Sequence, residues 1–189
     1  MRIGLFGGTF NPIHIGHMAL AQECWYELDL DKVIFIPAYI PPHKDLEGDI
    51  SMADRLTLVR HALEGDDRFG ISTYEIDSKG TSYTIKTIEH FRQKYQNDEL
   101  FFLAGSDWAE TFPEWKDADR ILELVKLIIA KRLGWKTDCS YREKVRFVDI
   151  PSVDISSSYI RERIKKCKPI DYLVPAATVK YIRNKGLYK

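Results

Sequence analysis

A short apolar run, Ile3–Phe6, ends in two glycines and passes through Gly7-Gly8-Thr9-Phe10-Asn11-Pro12-Ile13-His14-Ile15-Gly16-His17 into a helical pattern over Met18–Leu28. A strand that turns directly into a helix collects backbone N–H groups and the positive end of a helix dipole in one place, which suits an anion. Gly7 and Gly8 carry no Cβ, so the backbone can lie close to a bound group. His14 and His17 are three residues apart and share one side of a helix start. The turn reads as a seat for a phosphate chain with both imidazoles aimed at it.

The rest of the chain repeats the alternation. Apolar runs of strand length occur at Val33–Ile36, Leu100–Ala104, Leu127–Ala130 and Val145–Ile150, with weaker extended character at Phe69–Tyr74. Helical spacing lies between them. It follows Ser51, where Ser51-Met52-Ala53-Asp54 resembles a capping box ahead of Leu56, Val59 and Leu63. It recurs after Thr84 with Ile85, Ile88 and Phe91, and over about Ala118–Leu124. Ser156–Lys166 reads as a helix, Pro169 breaks it, and Pro175 opens a last helix that stops near Gly186. Strands alternating with helices predict an α/β fold, a Rossmann-like parallel sheet flanked by helices with C-terminal helices added, in one domain spanning 1–189. Ligands of such sheets bind beyond the strands' carboxyl ends. The first turn, the Pro41-Pro42-His43-Lys44 loop and the Gly105 loop all fall there.

Composition removes several classes of function. The 28 basic residues are matched by 28 acidic ones, so the chain lacks the excess that broad nucleic-acid binding draws on. No apolar run reaches the roughly 20 residues of a membrane helix, and Met1-Arg2-Ile3-Gly4 opens directly into a strand without a signal peptide. Cys24, Cys139 and Cys167 are far apart and form no metal-ligand spacing, which fits a reduced cytoplasmic setting. The P-loop GxxxxGK[ST] is absent, and Gly4, Gly7 and Gly8 do not match GxGxxG.

His14-Ile15-Gly16-His17 is an HxGH motif. With the glycine lead and the distal Ile155-Ser156-Ser157-Ser158-Tyr159-Ile160-Arg161, which looks like ISS[ST]xxR, it resembles the HxGH nucleotidylyltransferase superfamily. Ile40-Pro41-Pro42-His43-Lys44, Lys79-Gly80-Thr81-Ser82-Tyr83-Thr84, Gly105-Ser106-Asp107, Pro113-Glu114-Trp115 and Gly186-Leu187-Tyr188 are similar to the bacterial nicotinate-nucleotide adenylyltransferase family. The resemblance runs from Arg2 to Tyr188. It implies a fold of nucleotidylyltransferase type and a step of NAD biosynthesis in which ATP and nicotinate mononucleotide give deamido-NAD and pyrophosphate.

On that reading the site is assigned as follows. His17 donates to the α-phosphate as charge builds and His14 holds the phosphate chain. Close phosphates should favour the charged imidazolium of either residue. Gly8, Thr9 and Phe10 contact ATP from the turn, and Thr9 also faces the second nucleotide. Ser156, Ser157 and Arg161 form a second wall for the outer phosphates or the adenine. His43 and Lys44 close over the triphosphate, Lys44 meeting both substrates. Gly105 and Asp107 hold the ATP side, Asp107 through a ribose hydroxyl. Trp115 stacks on the pyridine ring, and the amides of Ser82-Tyr83-Thr84 bind its carboxylate. Arg132, assigned to the nicotinate nucleotide, stands where the family has Arg-Pro-Gly, here without the proline, and Asn11 stands where the family commonly has Asp. Trp25 and Trp108 are left to the core or its edge, and His61 and His90 to structural roles. Mg²⁺ is expected as the ATP counter-ion, bound mainly through phosphates and water without a protein metal site. The partners implied are these two small molecules, with no nucleic acid and no membrane, and homo-oligomers are compatible with the family. Three alternatives stay open at this point: another acceptor (nicotinamide mononucleotide or pantetheine phosphate), a nucleotide sensor without turnover, and a fragment of an aminoacyl-tRNA synthetase.

Overall fold

The computed structural model describes residues 1–42, 50–132 and 141–189. Six parallel strands form one sheet: β1 (Arg2–Gly8), β2 (Lys32–Pro37), β3 (Phe69–Ile71), β4 (Glu99–Gly105), β5 (Lys126–Arg132) and β6 (Val145–Ile150). Their order across the sheet is β3-β2-β1-β4-β5-β6. The chain winds outward from β1 in one direction, then returns to β4 on its other side. Between β1 and β4 the loops leave in opposite senses, and a crevice opens there.

Side chains alternate along each strand and so divide the core in two. Phe6, Val33, Phe35, Phe101, Leu103, Ile128 and Ala130 face one cluster. Ile3, Leu5, Ile34, Ile36, Leu100, Phe102, Leu127 and Ile129 face the other. The first cluster is closed by α1 (Ile15–Glu27), α2 (Met52–Leu63), α6 (Ser157–Lys165) and α7 (Ala176–Lys185). The second is closed by α4 (Thr84–Lys94) and α5 (Ala118–Leu124). Burial on both faces is why these strands read as unbroken apolar runs.

Local signals explain most boundaries. Ser51 Oγ accepts the Asp54 N–H at 3.0 Å and caps α2, and Ser156 Oγ does the same for α6 with the Tyr159 N–H at 3.1 Å. Gly186 ends α7 at φ 64°, a left-handed position that favours glycine. Three expectations need correction. The extended character at Phe69–Tyr74 ends at Ile71, and Tyr74 opens a short helix, α3 (Tyr74–Ser78). Leu56 is only half-buried, whereas its neighbour Arg55 is 1% exposed. Pro175 precedes α7 as its N-cap instead of forming its first turn.

Candidate active site

The phosphate-seat turn is held from below by residues the sequence motifs do not advertise. Arg55 on α2 donates to Thr9 O at 2.9 Å, Ala38 O at 2.7 Å and Tyr39 O at 3.0 Å, and to Met52 Sδ. One guanidinium thus ties the ends of β1 and β2 together. Among the described residues it has no carboxylate partner, and burial pulls its pKa down from the usual value. Tyr188 Oη donates to Asn11 Oδ1 at 2.8 Å, so the closing Gly186-Leu187-Tyr188 segment pins the turn. Asn11 keeps the acceptor oxygen that its amide shares with an Asp, and the buried tyrosine uses it. Burial also pushes the Tyr188 hydroxyl up.

The two imidazoles lie against one another, ring centroids 3.7 Å apart. His14 is the N-cap of α1, and its N–H donates to His17 Nδ1 at 3.2 Å. A backbone N–H is always a donor, so Nδ1 of His17 is an acceptor and the ring's proton sits on Nε2. In this arrangement Nε2 is the ring nitrogen left to donate. Gly16 has a packing reason as well. A Cβ there would stand 3.0 Å from His14 Nδ1 and 3.1 Å from its Cε1, tighter than side chains normally pack.

Helix α1 offers fewer anion-binding amides than the sequence implies. The Ile15 N–H donates to Leu173 O at 3.0 Å and the His17 N–H to His14 O at 2.9 Å. Gly8 also serves packing first: a Cβ would meet the Phe10 ring at 2.8 Å. Phe10 itself is 1% exposed, lies edge-on to Phe6 and His17, and has φ 48°. Its ring belongs to the core, so only its backbone faces the seat. A left-handed non-glycine residue costs about 1–2 kcal/mol, which burial of the phenyl offsets.

The distal serine segment meets this turn directly. Ser157 Oγ donates to Pro12 O at 2.8 Å, and Arg161 donates to Asn11 O at 2.8 Å and to Ser158 Oγ at 3.1 Å. The two motifs, far apart in sequence, therefore form one assembly.

On the other side of Gly8 and Thr9 lies a cleft open to solvent. Ser82, Tyr83, Thr84 and Trp115, expected on the pyridine side, line it together with Gly105, expected on the ATP side. Trp115 packs edge-on to Phe102 and Trp108, and its Nε1 is buried without a hydrogen-bond partner among the described residues. Trp108, expected at the core's edge, also lines the cleft. The Asp107 carboxylate folds back over Gly105, where a Cβ would stand 2.6 Å from its Oδ1.

The carboxylate-binding amides need narrowing. The Ser82 N–H donates to Ile40 O at 2.8 Å and the Tyr83 N–H to Thr81 O at 3.1 Å. Thr84 and Ile85, the first residues of α4, are the ones whose amides have no intrahelical acceptor. Glu75 on α3 also lines the cleft and accepts from the Thr87 hydroxyl at 2.6 Å. Ser82 Oγ takes the Tyr39 N–H at 2.9 Å. Burial pushes the Glu75 carboxyl up, and its bonds to Thr87 and Ser82 resist that.

His43 and Lys44 lie outside the described residues, and Arg132 ends β5 with its side chain outside the described set. His61 packs on Tyr181 and His90 stacks on Tyr74 at 3.9 Å, away from the cleft lining. Cys24 is buried in the core, where burial pushes its thiol up to about 12. Arg55, Glu75 and Lys116 are the residues that sequence reasoning passed over. Arg55 had a faint signal, a polar residue next to an apolar stripe, while the other two had none.

A parallel α/β sheet with an HxGH turn and a serine-arginine helix packed on it defines a nucleotidyltransferase. The sequence profile described as Cytidylyltransferase-like matches residues 5–163. A probable nicotinate-nucleotide adenylyltransferase of Halalkalibacterium halodurans is 44% identical over 189 residues, covering 100% of this chain and 91% of the relative. The nicotinate-nucleotide adenylyltransferase of Bacillus subtilis is 39% identical over 188 residues, covering 100% and 98%. The solved structure of Plasmodium falciparum nicotinic acid mononucleotide adenylyltransferase complexed with NaAD shares the fold at TM-score 0.83, 20% identity, 99% of this chain and 97% of that one. The chain belongs to the Cytidylyltransferase-like family and, within it, to the nicotinate-nucleotide adenylyltransferases. Nucleotidyltransferases generally use a divalent metal ion. Among the described residues no three His, Cys, Asp or Glu side chains gather into a cage for one, and no helix is long and apolar enough to cross a membrane.

Proposed function

We infer that this chain transfers the adenylyl group of ATP to nicotinate mononucleotide, giving deamido-NAD and pyrophosphate in NAD biosynthesis. One observation carries the reading: Gly8 and Thr9 belong both to the turn beneath the paired imidazoles and to the aromatic cleft around Trp115. A triphosphate seated on the turn and a pyridine nucleotide in the cleft bring their phosphates together at that shared backbone.

The reaction needs one displacement. A phosphate oxygen of the mononucleotide attacks the α-phosphorus of ATP, the bond from that phosphorus to the α–β bridging oxygen breaks, and pyrophosphate leaves with the electron pair. The nucleophile is already ionised, so no general base is required. Catalysis rests on positioning and on charge stabilisation. His17 donates its Nε2 proton in a hydrogen bond to the α-phosphate as negative charge grows, while His14 holds the chain beside it. Ser156, Ser157 and Arg161 take the departing phosphates. The buried charge of Arg55 beneath Thr9 adds a positive field without touching substrate. Asp107 holds a ribose hydroxyl, and Trp115 stacks on the pyridine. A magnesium ion would be held mainly by the ATP phosphates and would neutralise part of their charge. The enzyme acts on small molecules in the cytoplasm.

Incubation of the full chain with MgATP and nicotinate mononucleotide should release pyrophosphate and deamido-NAD in equal amounts. Pyrophosphate release that depends on pantetheine phosphate instead, or ATP binding without any turnover, refutes the reading.

A further inference from the structure

Two charged side chains line the cleft among the described residues, Glu75 and Lys116. Tyr83 and Trp115 line the same cleft. Glu75 is engaged by the hydroxyls of Thr87 and Ser82. Lys116 is different. It follows Trp115 directly, is exposed, and its Nζ lies 4.9 Å from the centre of the Tyr83 ring. It has no carboxylate partner among the described residues, although Glu114 and Asp117 are its sequence neighbours.

The amides on this wall carry only part of the choice of an acid. A backbone N–H donates equally well in geometry to a carboxylate oxygen or to the carbonyl oxygen of a carboxamide. Two of the three amides in Ser82-Tyr83-Thr84 are already spent on Ile40 O and Thr81 O. What separates nicotinate from nicotinamide is one full negative charge, which the start of α4 favours in part and a nearby ammonium favours further.

We propose that Lys116 is a specificity-determining residue of this site: its ammonium, held over Tyr83 beside Trp115, favours the pyridine carboxylate over the carboxamide. The proposal deepens the adenylyl-transfer reading and rests on it. Glu75, the other charged side chain of the lining, is engaged by the Thr87 hydroxyl at 2.6 Å, so Lys116 is the ammonium that this wall offers a ligand. Because the cleft is open to solvent, the effect is moderate. A unit charge a few ångströms away across a partly wet gap changes affinity roughly three- to tenfold.

The test compares the full-length wild type with Lys116→Met and Lys116→Arg. For each, pyrophosphate release gives the KM of nicotinate mononucleotide and the Ki of nicotinamide mononucleotide as its competitor. The expected result is that Lys116→Met raises the first by roughly three- to tenfold and leaves the second nearly unchanged, while Lys116→Arg keeps the wild-type ratio. Added salt should shrink the wild-type preference and not that of Lys116→Met. If Lys116→Met shifts both constants together, Lys116 merely supports Tyr83 and the proposal falls. If it shifts neither, the proposal also falls. A wild type that releases no pyrophosphate with nicotinate mononucleotide overturns instead the reading on which the proposal rests.

Discussion

Replacing His17 with alanine separates what this side chain does for the fold from what it does for the reaction. In the folded state the ring accepts the His14 N–H at Nδ1 and lies 5.1 Å from Phe10 and 6.1 Å from Phe6, centre to centre. Loss of a helix-start hydrogen bond costs about 1 kcal/mol. Loss of edge-on ring contacts costs about 0.5–1.5 kcal/mol more. The variant should therefore unfold about 2 kcal/mol more easily, well inside the margin of a domain of this size. The chemical step loses more. On the proposed function the Nε2–H is the donor to developing phosphate charge, and removal of one such donor lowers kcat about 10²- to 10³-fold. His17→Asn sharpens the comparison. Its side-chain oxygen can still accept the His14 N–H and recover stability, but the shorter amide does not reach the place of Nε2, so the rate stays low. The assays are urea unfolding and steady-state pyrophosphate release, on protein verified as folded. A His17→Ala variant with kcat within a few-fold of wild type, or a His17→Asn variant that regains both stability and rate, refutes the assignment.

Three further outcomes follow from the same geometry. Gly8→Ala places a Cβ 2.8 Å from the Phe10 ring, and because that ring is walled in by Phe6 and Phe35 the variant should lose about 1–3 kcal/mol together with ATP affinity; unchanged urea midpoint and KM would contradict this. Arg55→Met strands three backbone carbonyls at the ends of β1 and β2, at about 1–3 kcal/mol each, partly offset by relief of a buried charge; a net loss of stability with raised KM for both substrates is expected, and a variant as stable as wild type would show that the clamp is dispensable. For Glu75→Gln the sign follows from linkage. The folded carboxyl holds its proton above the ordinary value of 4.5, so stability present below that pH is lost as pH rises through the folded value, and the glutamine variant escapes the loss. Its advantage over wild type should grow from about pH 4 to pH 7, and a difference independent of pH in denaturant titrations would refute the burial argument.

Much of this fold is legible before any coordinates, because local physics and global architecture agree along the chain. The strand cores, the caps at Ser51 and Ser156, the stop at Gly186 and the placement of HxGH on a strand-to-helix turn each depend on a few neighbouring residues. The short β3 with its following α3 is where the local pattern misleads, since an apolar, β-prone stretch is cut short by the Ser72-Thr73 turn into α3. Phe10 illustrates a different failure. Its motif position marks it for the ligand, but the left-handed backbone at that residue turns the ring into the core.

The amino-acid sequence alone determined the layer order of this protein, the two site motifs and the family, because periodicity, capping and motif chemistry are short-range properties. Only the tertiary structure decided what stands behind those motifs. The carbonyls that Arg55 gathers, the Tyr188 hydroxyl on Asn11, the tautomer of His17 and the approach of Lys116 to Tyr83 join residues from different elements. Such pairings come from how the helices pack on the sheet, and no local rule orders which side chain meets which carbonyl once the chain has closed on itself.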